Sequence, residues 1–385
     1  MALHFEPAEF AARRAKVKAA LAARDLAGLL LFSPESMYWL TGYDTFGFCF
    51  FQCLVFRADG TMALLTRSAD LRQAQHTSNI EDIRIWTDEG GAQPAAQLKA
   101  LVADLGLEGD KLGIETETQG LTYANGRAVH HAFDDFATLV DASDLIPPLR
   151  NIKSAAEMVY VRRAAALADK AYDAALEVIR PGADEGDVLA AMQGAIFSGG
   201  GDYAGNEFII GSGRDALLCR YKAGRRVLDA TDQITLEWAG AYRRYHAAMM
   251  RTVCVGKATT RHEAMYAAAN DALDACEAAM QAGNTFGDVF DAHADAVDSH
   301  GMRDHRLNAC GYNLGAHFTP CWMDFPMFFH DNPAVIEPGM VLFAHMILMD
   351  SDTGTAMTLG RTYAIGELGV ETLSRSSLDL PVCSG

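Results

Sequence analysis

The residue most able to do chemistry in this chain is Glu237, which ends the apolar run Ile234-Thr235-Leu236. Buried carboxylates are uncommon without a partner or a task. A structural reading pairs it with Arg243 or Arg244, a few residues away. A functional reading uses the carboxylate to grip an amidinium or guanidinium in a two-point fork. It can also attack the central carbon of such a group, giving a covalent intermediate that water then opens. His246 and His345 lie in apolar segments that read as strands. On facing strands they would place imidazoles on either side of one substrate carbon, one as base and one as acid. Singly, each is equally a satisfied core histidine. Trp238 and Tyr43 offer flat walls against a planar group, although aromatics more often fill cores. His305, His317 and His330 fall in loops and read as surface residues. Met249, Met250, Met340, Met346 and Met349 read as core packing, and Asp187 and Asp288 as helix-start residues.

The elements that must position these groups alternate between strand and helix. Residues 7–26 repeat apolar positions at helical spacing. Leu29–Phe32 reads as a buried strand, and Gln52–Phe56 pairs with Met62–Thr66 around Asp59-Gly60. Gln93–Leu105 reads as a helix before the strand Leu112–Glu115. Such alternation implies a small α/β domain over residues 1–148. Ile146-Pro147-Pro148 breaks the pattern, because consecutive prolines do not continue a helix or a central strand. Lys153–Ile179 then reads as a long amphipathic helix opened by a capping box at Ser154 and Glu157. Strand candidates Gln233–Ala239, Tyr242–Val255 and Val341–Met349 belong to a second domain over residues 149–385.

That second domain carries a weak internal repeat. Gly182, Gly186, Asp187, Val188 and Ala191 recur as Gly283, Gly287, Asp288, Val289 and Ala292, an offset of 101 residues. A long helix precedes each copy and another follows it. Shared helix-start chemistry is one explanation. The other is two halves related by a pseudo-twofold axis, with a site in the cleft between them.

Composition narrows the class. At 385 residues the chain exceeds one ordinary hydrophobic core. Its 32 Lys and Arg against 50 Asp and Glu give a net charge of −18. That disfavours nucleic acid, whose binding needs basic patches, and equally disfavours docking on anionic membranes. No apolar run approaches the roughly 20 residues of a membrane span. Glu6, Glu9, Arg13, Arg14 and Lys16 make the first residues unlike a signal peptide. The eight cysteines form no C-x-x-C pair and read as reduced, free thiols. The chain reads as a cytoplasmic enzyme.

Several stretches resemble the creatinase/methionine-aminopeptidase family and its pita-bread fold. Lys153-Ser154-Ala155-Ala156-Glu157 with Arg162-Arg163-Ala164-Ala165 is similar to that family's first long helix. Arg251-Thr252 resembles the close of its first hairpin. Gly311-Tyr312-Asn313-Leu314-Gly315 resembles its glycine-bracketed histidine loop, and Glu337-Pro338-Gly339-Met340-Val341 the turn before its last metal-binding strand. The resemblance implies two divalent ions held by two Asp, one His and two Glu. The corresponding positions here are Glu237, Ala248, Tyr312, His345 and a position near Gly360. At most one carboxylate remains, which is too few for a pair of hard cations. The expectation is therefore no metal and no cofactor.

The resemblance extends to a metal-free branch that includes creatinase and ectoine hydrolase. It rests on Tyr38-Trp39-Leu40-Thr41-Gly42-Tyr43-Asp44 with Gln52-Cys53, on Glu237-x-Ala239-Gly240 with Arg244-Tyr245-His246, and on His345-Met346-Ile347-Leu348-Met349. It implies a hydrolase acting on a C–N bond of a small zwitterionic cyclic amidine, ectoine or hydroxyectoine first. Alternatives are a creatinase-type amidinohydrolase or lyase on another osmolyte, or a peptidase-like binding module without activity. Arg220, downstream of Gly211-Ser212-Gly213, takes the place of a cleft His. There it would hold a substrate carboxylate or serve as a structural ion pair. Tyr312 would donate from its phenol where the metal His stood. The resemblance also implies a homodimer, with the apolar segment around Tyr43 and Phe46 capping the neighbouring site.

Overall fold

A computed structural model describes residues 3–384 other than Ala223. The chain divides into two units, Met1–Arg150 and Asn151–Gly385. In the first, Pro7 opens helix α1 (Pro7–Ala23), and β1 (Gly28–Leu31), α2 (Pro34–Thr41), β2 (Cys53–Arg57) and β3 (Met62–Arg67) follow. Next come α3 (Leu71–Thr77), β4 (Asp82–Trp86), α4 (Pro94–Asp104), β5 (Lys111–Ile114), α5 (Tyr123–Phe133) and β6 (Thr138–Asp141). The six strands form one sheet in the order β4-β3-β2-β1-β5-β6. β2 runs antiparallel to both its neighbours, and the outer pairings are parallel. Separate apolar clusters, one around Leu30, Val55 and Leu98 and one around Leu29, Leu54 and Trp39, pack this unit. The two clusters follow from strand alternation, since Leu29 and Leu30 project to opposite faces.

The proline pair starts a helix rather than continuing one. Pro147 and Pro148 open a short helix, α6 (Pro147–Asn151). Proline is tolerated in a first turn because the amide it lacks has no partner there.

The second unit begins with α7 (Ala155–Val178) and α8 (Glu185–Ser198), followed by β7 (Ile209–Ser212), β8 (Asp232–Tyr242) and β9 (Tyr245–Val255). It then repeats the plan with α9 (Thr260–Ala279), α10 (Phe286–Ser299), β10 (Gly311–Leu314), β11 (Met323–Met327), β12 (Val341–Asp350) and β13 (Thr355–Gly366). Short strands β14 (Gly369–Thr372) and β15 (Val382–Cys383) close it. Ser154 caps α7 in the expected box with Glu157. The sheet order β11-β10-β12-β13-β9-β8-β7 places hairpin β8–β9 against hairpin β12–β13. Helix α8 starts at residue 185 and α10 at residue 286, the same offset of 101 that the glycine motif shows. The repeat is thus structural: each half is two helices followed by a long hairpin, and the fold is the pita-bread one.

Two differences from the sequence reading have local causes. Gly311–Leu314 is a strand rather than a loop. A Cβ at Gly311 would lie 2.1 Å from the Phe343 carbonyl oxygen, so only glycine lets the two backbones pair this closely. The β8–β9 turn places Arg243 and Arg244 at φ 48° and 69°, positions usually left to Asn or Gly. Their guanidinium groups stack on aromatic rings, Arg243 at 4.9 Å from the Tyr160 centroid and Arg244 at 4.5 Å from Phe318. Such contacts offset part of the backbone cost. Among the described residues no helix is long and apolar enough to cross a membrane, and all eight cysteines are free.

Candidate active site

Strand register assembles the site. Across β8–β9, Glu237 faces Met250 and Ala239 faces Ala248. Gly360 faces Met250 on one side and His345 on the other, and Tyr312 faces Phe343. Directly paired residues project to the same side, and side chains alternate with period two. Glu237, Ala248, Gly360, His345 and Tyr312 therefore share one face of the sheet.

Glu237 is 8% exposed, and burial lifts its carboxyl to about 7, with the Arg220 guanidinium pulling the other way. The carboxylate makes no hydrogen bond or ion pair to any described residue, so it is not the structural partner of Arg243 or Arg244. The His345 imidazole is buried, and its Nδ1 has no hydrogen-bond partner among the described residues. Burial lowers it to about 3, helped by His293 and Arg220, so the ring is neutral at physiological pH. Its centroid lies 5.7 Å from that of Tyr312. The Tyr312 hydroxyl accepts from Trp322 Nε1 at 2.9 Å, which leaves its own proton free to donate. Burial and the Glu237 charge raise Tyr312 well above the ordinary phenol range, so that proton stays on.

Arg220 is exposed and bonds no described residue. Its charge is nevertheless felt at Glu237, His345 and Tyr312. It is a free cation beside a buried face. Cys219 and Cys321 belong to the same neighbourhood, since both thiols are raised by burial and, less strongly, by the charge of Glu237. Nothing in their sequence context distinguishes them from core cysteines, and the reading above missed them.

Two expected residues, Trp238 and Tyr43, lie elsewhere, and a third, His246, shares the Glu237 face by register but is held by backbone. Trp238 neighbours Glu237 in β8 and so projects to the opposite face. There its Nε1 donates to the Ala168 carbonyl at 2.9 Å, and its ring stacks on Tyr172 at 5.5 Å. It is a core residue against α7, not a substrate wall. Tyr43 is fully buried in the first unit, with its hydroxyl 3.3 Å from both Gln52 Oε1 and Thr66 Oγ1. Phe46 of that segment is presented outward, at 73% exposure, and Phe50 is also exposed. His246 is fully buried, and its Nε2 accepts from the Gly205 amide at 2.9 Å while its Nδ1 lies 3.4 Å from the Gly315 carbonyl. Both ring nitrogens are held by backbone, so the opposed pair of imidazoles is not formed. A cavity of about 280 Å³ lined by Phe197, Tyr203, Gly205 and Pro320 lies beside His246, but neither Glu237 nor His345 lines it.

The residues present do not fit a pair of hard cations. Ala248 has no donor, and a Cβ added at Gly360 would meet the Ala344 carbonyl oxygen at 2.9 Å and His345 Cα at 3.1 Å. A carboxylate cannot be placed there without moving β12. Metallopeptidase family M24 nonetheless matches residues 159–367, more than half of the sequence. The chain belongs to the M24 family. The Creatinase/Prolidase N-terminal domain matches residues 13–152. This M24 chain is 27% identical to the ectoine hydrolase of Halomonas elongata over 97% of each chain. It is 23% identical to a Xaa-Pro dipeptidase of Pyrococcus furiosus over 62% of this chain and 67% of that one. A prolidase structure from Thermococcus sibiricus has a TM-score of 0.87 at 19% identity, covering 97% of this chain and 99% of that one. That last likeness speaks for the fold alone.

Proposed function

We propose that this M24 chain is a hydrolase that opens a C–N bond in a small zwitterionic cyclic amidine without a metal ion, with ectoine as the leading substrate. One observation carries the reading: Glu237 is a buried carboxylate without a partner, on the face where Ala248 and Gly360 supply no ligand. A carboxyl near 7 is matched to both accepting and returning a proton at neutral pH. The amidinium of the substrate supplies the charge partner that Glu237 lacks, and Arg220 receives the substrate carboxylate.

The step balances with Glu237 as the only proton carrier. Water adds its oxygen to the amidine carbon while its proton passes to Glu237. The C–N bond then breaks with its electron pair on nitrogen, and Glu237 returns the proton to that nitrogen as it leaves. The new hydroxyl passes its own proton through Glu237 to the departing amine, leaving an amide carbonyl and an ammonium. His345, neutral at this pH, orients water or substrate through Nδ1 rather than acting as an acid. Tyr312 donates to the group opposite. The 27% identity to an ectoine hydrolase, spanning both chains almost entirely, supports this substrate class over a peptide. We also propose a homodimer in which the segment at Phe46 covers the neighbouring site.

The test uses chelator-treated protein with ectoine, creatine and a proline dipeptide. The expected result is acetyl-diaminobutyrate from ectoine alone. Proline release that chelator abolishes would overturn the proposal.

A further inference from the structure

On the opposite side of the same sheet, four soft donors meet inside the apolar core. Cys276 comes from α9, His293 from α10, Cys310 from the residue before β10, and Met346 from β12. One donor atom from each of Cys276, His293 and Cys310 lies within 4.8 Å of the others, and all three side chains are buried. His293 Nδ1 is 3.0 Å from Met346 Sδ, and that thioether is its only hydrogen-bond-range neighbour among the described residues. A thioether is a poor partner for an imidazole. The surrounding cluster, including Met265, Leu273, Val289, Phe290 and Leu342, is apolar. A histidine so placed calls for a better partner than the core supplies.

We infer that Cys276, Cys310 and His293 form a closed site for a divalent thiophilic cation of the zinc class, with Met346 as the fourth neighbour. Donors of a tetrahedral zinc site with sulfur at about 2.3 Å stand about 3.7 Å apart, so the observed spacing closes with small side-chain shifts. The charge decides the valence. Binding breaks two S–H bonds, forms two S–metal bonds and releases two protons to water, with no change of oxidation state. Two thiolates and a dication leave a neutral centre, which an apolar core tolerates. A monovalent soft ion would leave a net negative charge. The cation closest in sequence, Arg306, already pairs with Asp298 at 2.8 Å, so it would not neutralise that charge.

The site has a structural consequence for the face described above. The Cys310 carbonyl accepts the His345 amide at 2.9 Å, and Met346 follows His345 in β12. A metal would therefore tie α9 and α10 to the two strands that carry Tyr312 and His345.

The test takes the full-length reduced chain, loads it with zinc and removes excess by gel filtration. Elemental analysis should give one zinc per chain, and X-ray absorption should show two sulfur scatterers at about 2.3 Å. Zinc should fall to background in the Cys276→Ala/Cys310→Ala variant and persist in Glu237→Gln. A wild-type protein that retains no zinc, or whose zinc has only oxygen and nitrogen neighbours, overturns the inference without recourse to any variant. So does zinc retained by the double alanine variant, or a Cys276–Cys310 disulfide in the purified chain.

Discussion

Glu237→Gln should make the protein slower and more stable at once, and the stabilisation depends on pH in a way the structure specifies. The carboxyl ordinarily titrates near 4.5 and is lifted to about 7 by burial. With the folded value above the unfolded one, the folded state holds the extra proton between those limits. Stability therefore falls as pH rises from about 4.5 to about 7, and the loss is complete above that window. The size is about 3 kcal/mol, taking about 1.4 kcal/mol for each pH unit of displacement. No solvent discount applies to a side chain that is 8% exposed. Glutamine keeps the shape and removes the ionisable group. Urea denaturation at pH 8, followed through the transition of the second unit, should show the variant more stable by up to about 3 kcal/mol. At pH 4.5 and below the two proteins should converge. Turnover on ectoine should drop roughly 10³-fold, and the limb near pH 7 in the kcat/KM profile should disappear with it. Equal stability at pH 8 would mean that Glu237 has a partner after all. Near-wild-type turnover would remove it from the chemistry, and a covalent adduct on its peptide would change its role from base to nucleophile.

The remaining predictions follow from single features. Arg220→Ala should raise KM for a zwitterionic substrate roughly tenfold with kcat little changed, because an exposed charge-assisted contact holds the substrate without touching the reacting carbon; an equal fall in kcat would give Arg220 a catalytic role. Phe46→Glu should shift the sedimentation coefficient from dimer to monomer, since Phe46 is 73% exposed on an apolar segment; an unchanged coefficient would remove this segment from the interface. Gly360→Ala should destabilise the second unit by about 1–3 kcal/mol, as its Cβ would press on backbone rather than on a flexible side chain; a neutral result in thermal melting would show that β12 and β13 can separate enough to readmit a ligand.

How far the site was legible in the sequence depends on what each residue's position requires. The long helix at Ser154, the hairpin around Asp59-Gly60 and the helix-pair repeat were legible because caps, turns and periodicity are local. Strand β13 was not, since Thr355–Gly366 has neither clean alternation nor a long apolar run: Gly360 sits at its centre and Arg361 reaches Glu277. Glu237 and His345 stand out in the sequence because each is a polar residue inside an apolar run. The free state of Arg220 was not legible, because it depends on what fails to approach from loops distant in sequence. His246 shows the converse. Like His345 it sits in an apolar strand, and backbone groups 41 and 69 residues away, the Gly205 amide and the Gly315 carbonyl, separate a fixed imidazole from an available one.

The same parity rule explains both the site and its errors. In a strand buried on both faces, adjacent residues serve different cores, and composition does not say which face is which. Glu237 and Trp238 are neighbours, yet one shares a face with Ala248, Tyr312 and His345 and the other packs on α7. His345 and Met346 divide in the same way, one toward Tyr312 and the other toward His293. Strands β8 and β12 are therefore each two surfaces joined by a backbone, and a change on one surface is transmitted to the other only through strand position. Ala248 and Gly360 bring no side-chain donor to that face, and at Gly360 the close approach of β12, through the Ala344 carbonyl and His345, leaves no room for a side chain. In the proposed reaction the catalytic burden therefore falls on Glu237, a buried carboxylate on that face with no hydrogen-bond or ion-pair partner among the described residues.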